Sequence, residues 1–163
     1  VATKIPADLY IDIQGDEPII EPETISRAIQ PFFENPELHV TNLMTEIRDP
    51  VEVHNFTIPK VIASADGRGL FLTRSPAPYP KGRIDYKYYK QVCVYGFTPE
   101  ALRFFGETPR GRIEEIEDIH ILRFLEHGIR VQFYEVNSNT IAVDTPNDLA
   151  KVRAYIEQHG IQP

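Results

Sequence analysis

Short runs of β-branched and aromatic residues alternate along this chain with segments that carry helix-start and helix-stop signals. Residues 9–13, 40–45, 60–64, 69–73, 91–97, 130–136 and 140–143 each read as a strand bounded by Pro, Gly, Asn or Asp. Ala65-Asp66-Gly67-Arg68 sits between two of them and reads as a hairpin turn, with Asp-Gly supplying the positive φ that such turns need. Four helices fall between the strands. The first opens at Pro22 and sets Ile25, Ala28, Ile29, Phe32 and Phe33 on one stripe, with Pro31 expected to kink or end it. The second opens at Thr98-Pro99-Glu100, an N-cap hydroxyl followed by Pro at the first helical position. The third is expected from Arg112 to His127, stopped by Gly128 as a left-handed C-cap. The fourth opens at Thr145-Pro146-Asn147-Asp148, which has capping-box spacing, and is expected to bury Leu149, Val152 and Ile156. Strands interleaved with helices imply an α/β sheet layered with helices. A chain of 163 residues suits one domain, 1–163. The polar, aromatic, proline-punctuated stretch 79–89 reads as a loop or an excursion from the sheet.

Composition narrows the functional classes. Lys and Arg number 17 against 24 Asp and Glu, a formal charge of −7. That balance argues against a nucleic-acid or anionic-membrane partner, although a local basic pocket remains compatible with it. No apolar run approaches the roughly 20 residues that span a bilayer. The opening residues lack the pattern of a secretory signal, so a cytoplasmic location is expected. Cys93 is the single cysteine, which excludes an internal disulfide framework and a cysteine zinc cluster. The five His residues show no metal-ligand spacing. The chain starts at Val1 rather than Met, which keeps open an upstream segment.

Three groups of residues could carry chemistry. Gln14-Gly15-Asp16-Glu17-Pro18 follows an apolar strand, and open α/β sheets bind ligands beyond the carboxyl ends of their strands. Gly15 would let the backbone come close to a ligand, and Asp16 is a short carboxylate of the kind that holds Mg²⁺ together with substrate phosphates. A polar turn, with Asp16 accepting backbone hydrogen bonds, is the plainer alternative. Val143-Asp144-Thr145-Pro146 repeats the design, an apolar strand ending in Asp before a helix; Asp144 could equally be a helix cap. Together, the two strand-end aspartates could face one crevice. The third group joins residues 90–95 with the helix face that carries Glu114, Glu117 and Asp118; in it Lys90, Gln91 and Tyr95 could hydrogen-bond a polyhydroxylated ligand or be exposed ladder residues. Arg74 could hold a carboxylate bidentately or lie on the surface. Cys93 is most simply a small buried hydrophobe.

In this order the chain resembles the sugar-acid cytidylyltransferases, and most closely the CMP-Kdo synthetases. The resemblance rests on Gln14-Gly15-Asp16-Glu17-Pro18, Lys60-Val61, Thr73-Arg74, Tyr95-Gly96-Phe97, residues 113–125 and Val143-Asp144-Thr145-Pro146-Asn147-Asp148-Leu149. It implies a three-layer, Rossmann-like nucleotidyltransferase sheet with a small β excursion, at about residues 46–90, used in homodimerisation. It implies an enzyme that couples CTP to a 2-keto-3-deoxy sugar acid, Kdo or a relative, releasing pyrophosphate with Mg²⁺ as cofactor. Asp16 and Asp144 match the family's metal-binding aspartates. Gln14, Arg74, Tyr95, Glu117 and Asp118 fall at or beside positions that look like its sugar pocket. The family's opening strand and Gly-, Arg- and Lys-containing CTP loop have no counterpart here, so the chain is expected to be the C-terminal part of a longer enzyme. Lys90-Gln91 stands where typical members have Arg-His, and Arg110-Gly111 where they usually have Leu-Glu. These departures bear on the sugar: Kdo, an 8-amino relative, or another octulosonic or nonulosonic acid. A nucleotidyltransferase for a sialic-acid-like sugar and a non-catalytic sugar-binding or dimerising fragment are the alternatives.

Overall fold

The computed structural model describes residues 2, 4–82, 85–138, 141–143 and 145–160. Strands and helices follow one another as β1 (Tyr10–Ile13), α1 (Pro22–Glu34), β2 (Val40–Glu46), α2 (Pro50–His54), β3 (Lys60–Ala63), β4 (Gly69–Thr73), β5 (Tyr89–Phe97), α3 (Pro99–Glu107), α4 (Arg112–Glu117), α5 (Leu122–Glu126), β6 (Val131–Glu135) and α6 (Pro146–His159). The sheet runs β4-β3-β5-β2-β6, with β1 added to β5. Among the described residues only β2 and β6 pair in parallel; β5 is antiparallel to β1, β2 and β3. Strands β1, β2 and β6 therefore share a direction. Their carboxyl ends lie at the end of the sheet where β5 begins.

β5 is long enough for two strands to share one of its edges. β1 pairs with Val94 to Phe97, and β3 pairs with Tyr89 and Lys90. Over the interval between them the ladder is completed from loops: Gln91 N–H donates to the Pro59 carbonyl at 3.1 Å, and Gln14 N–H to the Cys93 carbonyl at 3.4 Å. The Cys93 N–H goes to the Glu17 carboxylate at 3.1 Å. The other edge of β5 carries β2, and the register jumps between Asn42 and Leu43.

Each face of the sheet is covered. On one side α1 brings Ala28 onto Leu43, Val92 and Val94. Gly96 makes this approach possible, since a Cβ there would lie 2.5 Å from Thr41 Oγ1 and 2.6 Å from Phe32 Cε2. On the other side Ala101 of α3 and Leu122 and Phe124 of α5 pack with Val40, Tyr95, Val131 and Phe133. This is the expected three-layer α/β arrangement. Residues 46–90 contain α2 and the β3–β4 hairpin, which continues the same sheet. The hairpin's turn reaches back to β6, with Phe133 N–H donating to the Gly67 carbonyl at 2.8 Å.

Several expectations are corrected. Helix α1 runs through Pro31 to Glu34, because Pro31 sits in the last turn and its carbonyl still accepts the Asn35 N–H at 2.9 Å. Phe33, expected on the buried stripe, is 81% exposed. The expected helix from Arg112 to His127 is two, α4 and α5, broken where Asp118 adopts a left-handed φ of 51°. Glu126 of α5 then caps α4 through the Ile113 and Glu114 N–H groups, each at 2.9 Å. α2 was not anticipated, although Asp49 caps it ahead of Pro50. Residues 141–143 are irregular rather than a strand. Leu149 is exposed, while Val152 is the residue of α6 that is buried.

Candidate functional site

The motif of Gln14 to Pro18 lies just past the carboxyl end of β1, at the same end of the sheet as the carboxyl ends of β2 and β6. Gln14 leaves β1, and the chain turns so that Glu17 is buried against β5 while Asp16 is half-buried. The Asp16 carbonyl accepts the Val143 N–H at 2.8 Å, so residues 141–143, past the end of β6, pass beside it. Asp16 Oδ1 is shielded from solvent and has no hydrogen-bond partner among the described residues. A buried carboxylate oxygen without a donor is costly, and a hard divalent cation is the kind of partner that would satisfy it. Asp144 lies outside the described residues; the N-cap of α6 is Thr145, whose capping box with Asp148 is complete.

β5 supplies the next group. Lys90 pairs with Glu52 of α2 at 2.8 Å. Gln91 Nε2 donates to Asn42 Oδ1 at 2.8 Å. Tyr95 and Gln14 line one cavity of about 400 Å³, together with Asp12, Phe97, Phe105 and His120. Burial pushes the Tyr95 hydroxyl well above its usual range, reinforced by the Cys93 thiol beside it. Burial, with the Glu17 carboxylate adding to it, pushes the Cys93 thiol up to about 12. Both groups stay protonated at physiological pH: Tyr95 is a polar wall of the cavity, and Cys93 is no nucleophile.

Arg74, Glu117 and Asp118 come together, but as a brace. Arg74 Nε donates to the Glu117 carbonyl at 2.6 Å, Nη1 to those of Phe56 and Thr57 at 3.0 and 3.2 Å, and Nη2 to that of Asp118 at 3.1 Å. Four of its five N–H donors are thus engaged, and a bidentate grip on a ligand carboxylate would require giving some of them up. The Glu117 carboxylate accepts the Thr73 hydroxyl at 2.6 Å and the Arg74 N–H at 2.8 Å. Asp118 pairs with Arg110 at 2.7 Å, which holds its carboxyl below the usual range. Lys60, fully buried behind this brace, donates to the Asn55 and Ile58 carbonyls at 2.8 and 2.7 Å. Burial and then Arg74 lower its pKa, partly opposed by Glu117. The brace fixes the turn after α4, whose next residues His120 and Ile121 line the cavity.

Two residues of the site escaped sequence reasoning. Glu17 was visible only as part of its motif, and its ladder contact to Cys93 depends on the fork in β5. Asn42 carried one available signal, a carboxamide, a residue type that strands disfavour, inside the strand-like run 40–45.

Comparison with known proteins identifies the family and the fold. Residues 1–135 match the family model for cytidylyltransferases. A 3-deoxy-manno-octulosonate cytidylyltransferase of Chloroherpeton thalassium is 39% identical over 158 residues, 95% of this chain and 64% of the relative. One from Escherichia coli is 34% identical over 158 residues, 97% of this chain and 64% of the relative. A solved CMP:2-keto-3-deoxy-manno-octonic acid synthetase complexed with CTP superposes with a TM-score of 0.90 at 33% identity, covering 97% of this chain and 65% of that one. The inositol-1-phosphate CTP transferase of T. maritima, at 19% identity and a TM-score of 0.61, shares the fold over 96% of this chain and 58% of its own. The chain spans just under two-thirds of the length of these curated relatives. With the matched model covering most of its residues, the chain belongs to the cytidylyltransferase family.

Proposed function

We propose that this chain is the sugar-acid side of a CTP-dependent cytidylyltransferase acting on 3-deoxy-manno-octulosonate or a close 2-keto-3-deoxy relative. The anomeric hydroxyl of the sugar acid attacks the α-phosphorus of CTP, the new O–P bond forms as the bond to pyrophosphate breaks, and the hydroxyl proton is lost to solvent. Chemistry of this class depends on positioning and charge neutralisation more than on covalent help from the protein. Asp16 and Asp144 would hold Mg²⁺, which when bound neutralises phosphate charge and increases the acidity of a hydroxyl. Gln14 and Tyr95 are among the polar residues of the cavity wall, with Asp12 and His120. Tyr95 remains a neutral hydrogen-bonding group, and the Arg74 brace keeps the Glu117–Asp118 turn in place. The single observation that carries the reading is Asp16 Oδ1, buried without a donor at a strand's carboxyl end, next to the segment that leads to Asp144.

The similar proteins support CTP and the sugar class, and a bacterial lipopolysaccharide or capsule precursor made in the cytoplasm is the corresponding product. A homodimer is part of the proposal, supported by β4 as the terminal strand of the sheet path with Leu70 half exposed on it. The test is turnover of the protein at its native length with CTP and Mg²⁺ against 3-deoxy-manno-octulosonate, its 8-amino analogue and N-acetylneuraminate. Asp16→Asn is expected to lower kcat by at least about a hundredfold with the melting temperature unchanged. Near wild-type turnover by that variant at saturating Mg²⁺ would refute the assignment, and a preference for N-acetylneuraminate would move the enzyme to the sialic-acid branch.

A further inference from the structure

Asn42 and Gln91 form a chain of hydrogen bonds whose polarity is set by backbone. Asn42 is fully buried, and its Nδ2 donates to the carbonyls of Val92 and Val94, each at 2.9 Å, where the register of β2 against β5 jumps. Carbonyl oxygens only accept, so the amide nitrogen of Asn42 must face them and both its protons are used. Its Oδ1 then faces Gln91 and can only accept, which makes Gln91 Nε2 the donor of the 2.8 Å bond between them. A glutamine amide can ordinarily turn over to suit a ligand. This one cannot without leaving Asn42 Oδ1 facing another oxygen. Gln91 Oε1 is thereby left outermost. It has no hydrogen bond among the described residues, and Gln91 is half-buried at the fork between β1 and β3, two residues from Cys93, whose backbone Gln14 and Glu17 hold.

We infer that Asn42 is a positioning residue: it locks the Gln91 amide so that a carbonyl oxygen faces the crevice, and this position selects a ligand group that donates a hydrogen bond, a hydroxyl or an ammonium. This deepens the proposed function and rests on it. A cationic side chain at position 91 would present donors only and favour a ligand group that accepts. Gln91 presents the opposite polarity while remaining uncharged. The neighbouring Lys90 does not restore a free cation, being paired with Glu52.

The experiment measures KM for 3-deoxy-manno-octulosonate and for CTP, together with kcat and melting temperature, in the protein at its native length and in Gln91→Met, Asn42→Ala and the double variant. Gln91→Met is expected to raise the KM for the sugar acid about tenfold, the worth of one hydrogen bond, with the KM for CTP unchanged. Asn42→Ala is expected to lower the melting temperature in both backgrounds, because it strips two carbonyls of their donor. Its effect on the sugar KM is expected only where Gln91 is present. Should Asn42→Ala aggregate, Asn42→Thr, whose hydroxyl can serve one of the two carbonyls, is put through the same cycle. An equal KM effect in both backgrounds, or an unchanged sugar KM in Gln91→Met, overturns the inference. Failure of the unmutated protein to transfer from CTP to any sugar acid overturns the functional reading itself, so the two failures are read in different samples.

Discussion

Replacing Arg74 separates two roles that sequence and structure give the same residue. As a clamp for a sugar carboxylate, Arg74 would matter to ligand affinity and little to the fold. As the brace described above, it joins β4 to the loop at Phe56 and Thr57 and to the carboxyl end of α4. The carbonyls of Glu117 and Asp118 are among those that a helix end leaves without intrahelical donors, and a cation there also complements the helix dipole. The bond to Glu117 is partly buried and charge-assisted, worth about 1.5–2 kcal/mol. The other three carbonyls are exposed and regain water when freed, so each adds only about 0.5 kcal/mol. Arg74→Met is therefore expected to cost about 3 kcal/mol. Arg74→Lys is expected to cost about 2 kcal/mol, because an ammonium concentrates its donors at one point and cannot span carbonyls served from three nitrogens.

Urea unfolding monitored by circular dichroism provides the assay. With a slope of about 2 kcal/mol/M for a chain of this size, the midpoints should fall by about 1.5 M for Arg74→Met and about 1 M for Arg74→Lys at unchanged slope. Hydrogen exchange should locate the opening to residues 117–119 before the sheet responds. A midpoint within about 0.2 M of the parent, combined with selective loss of sugar-acid affinity, would refute the brace and restore the clamp.

Two further outcomes follow from packing and protonation. Gly96→Ala should cost about 2–3 kcal/mol in the same urea assay, since its Cβ would meet Thr41, Phe32 and the Ala28 carbonyl, whereas Gly106→Ala, with nothing within 4 Å, should gain a few tenths to 1 kcal/mol. The Cys93 thiol, raised from 9.0 to about 12, contributes stability that is complete below pH 9 and is lost as pH rises through 12; relative to pH 8, unfolding experiments should show a loss of about 2 kcal/mol by pH 10.5 that Cys93→Ala removes. An identical pH slope in parent and variant would show that the thiol is solvated.

What the sequence disclosed, and what it withheld, divides by the range of the interactions responsible. Pro22, Thr98-Pro99 and Thr145-Pro146 located helix starts correctly because caps are settled within a turn of chain. Strand β4 was read with its observed bounds, and most of the others within a residue or two, from β-branched and aromatic runs. The break at Asp118 was hidden because no glycine or proline marks it; Arg74, far along the chain, and Glu126, across the break, hold the two halves of that segment in place. The partners of Arg74 were hidden for the same reason: they are carbonyls, which every residue carries and no side-chain pattern reveals. Asp16 stands out in the sequence because the carboxyl end of a strand is a marked position, whereas the burial of its Oδ1 without a donor among the described residues shows only in the structure. Glu17 and Asn42 share a logic that explains both omissions. Each substitutes a side chain for a missing or displaced piece of β-ladder, at the stretch of β5 where β1 and β3 separate and β2 slips its register. The irregular stretch of β5 is thus what calls for buried polar side chains, and each of them is held by a partner far along the chain, out of reach of any local pattern.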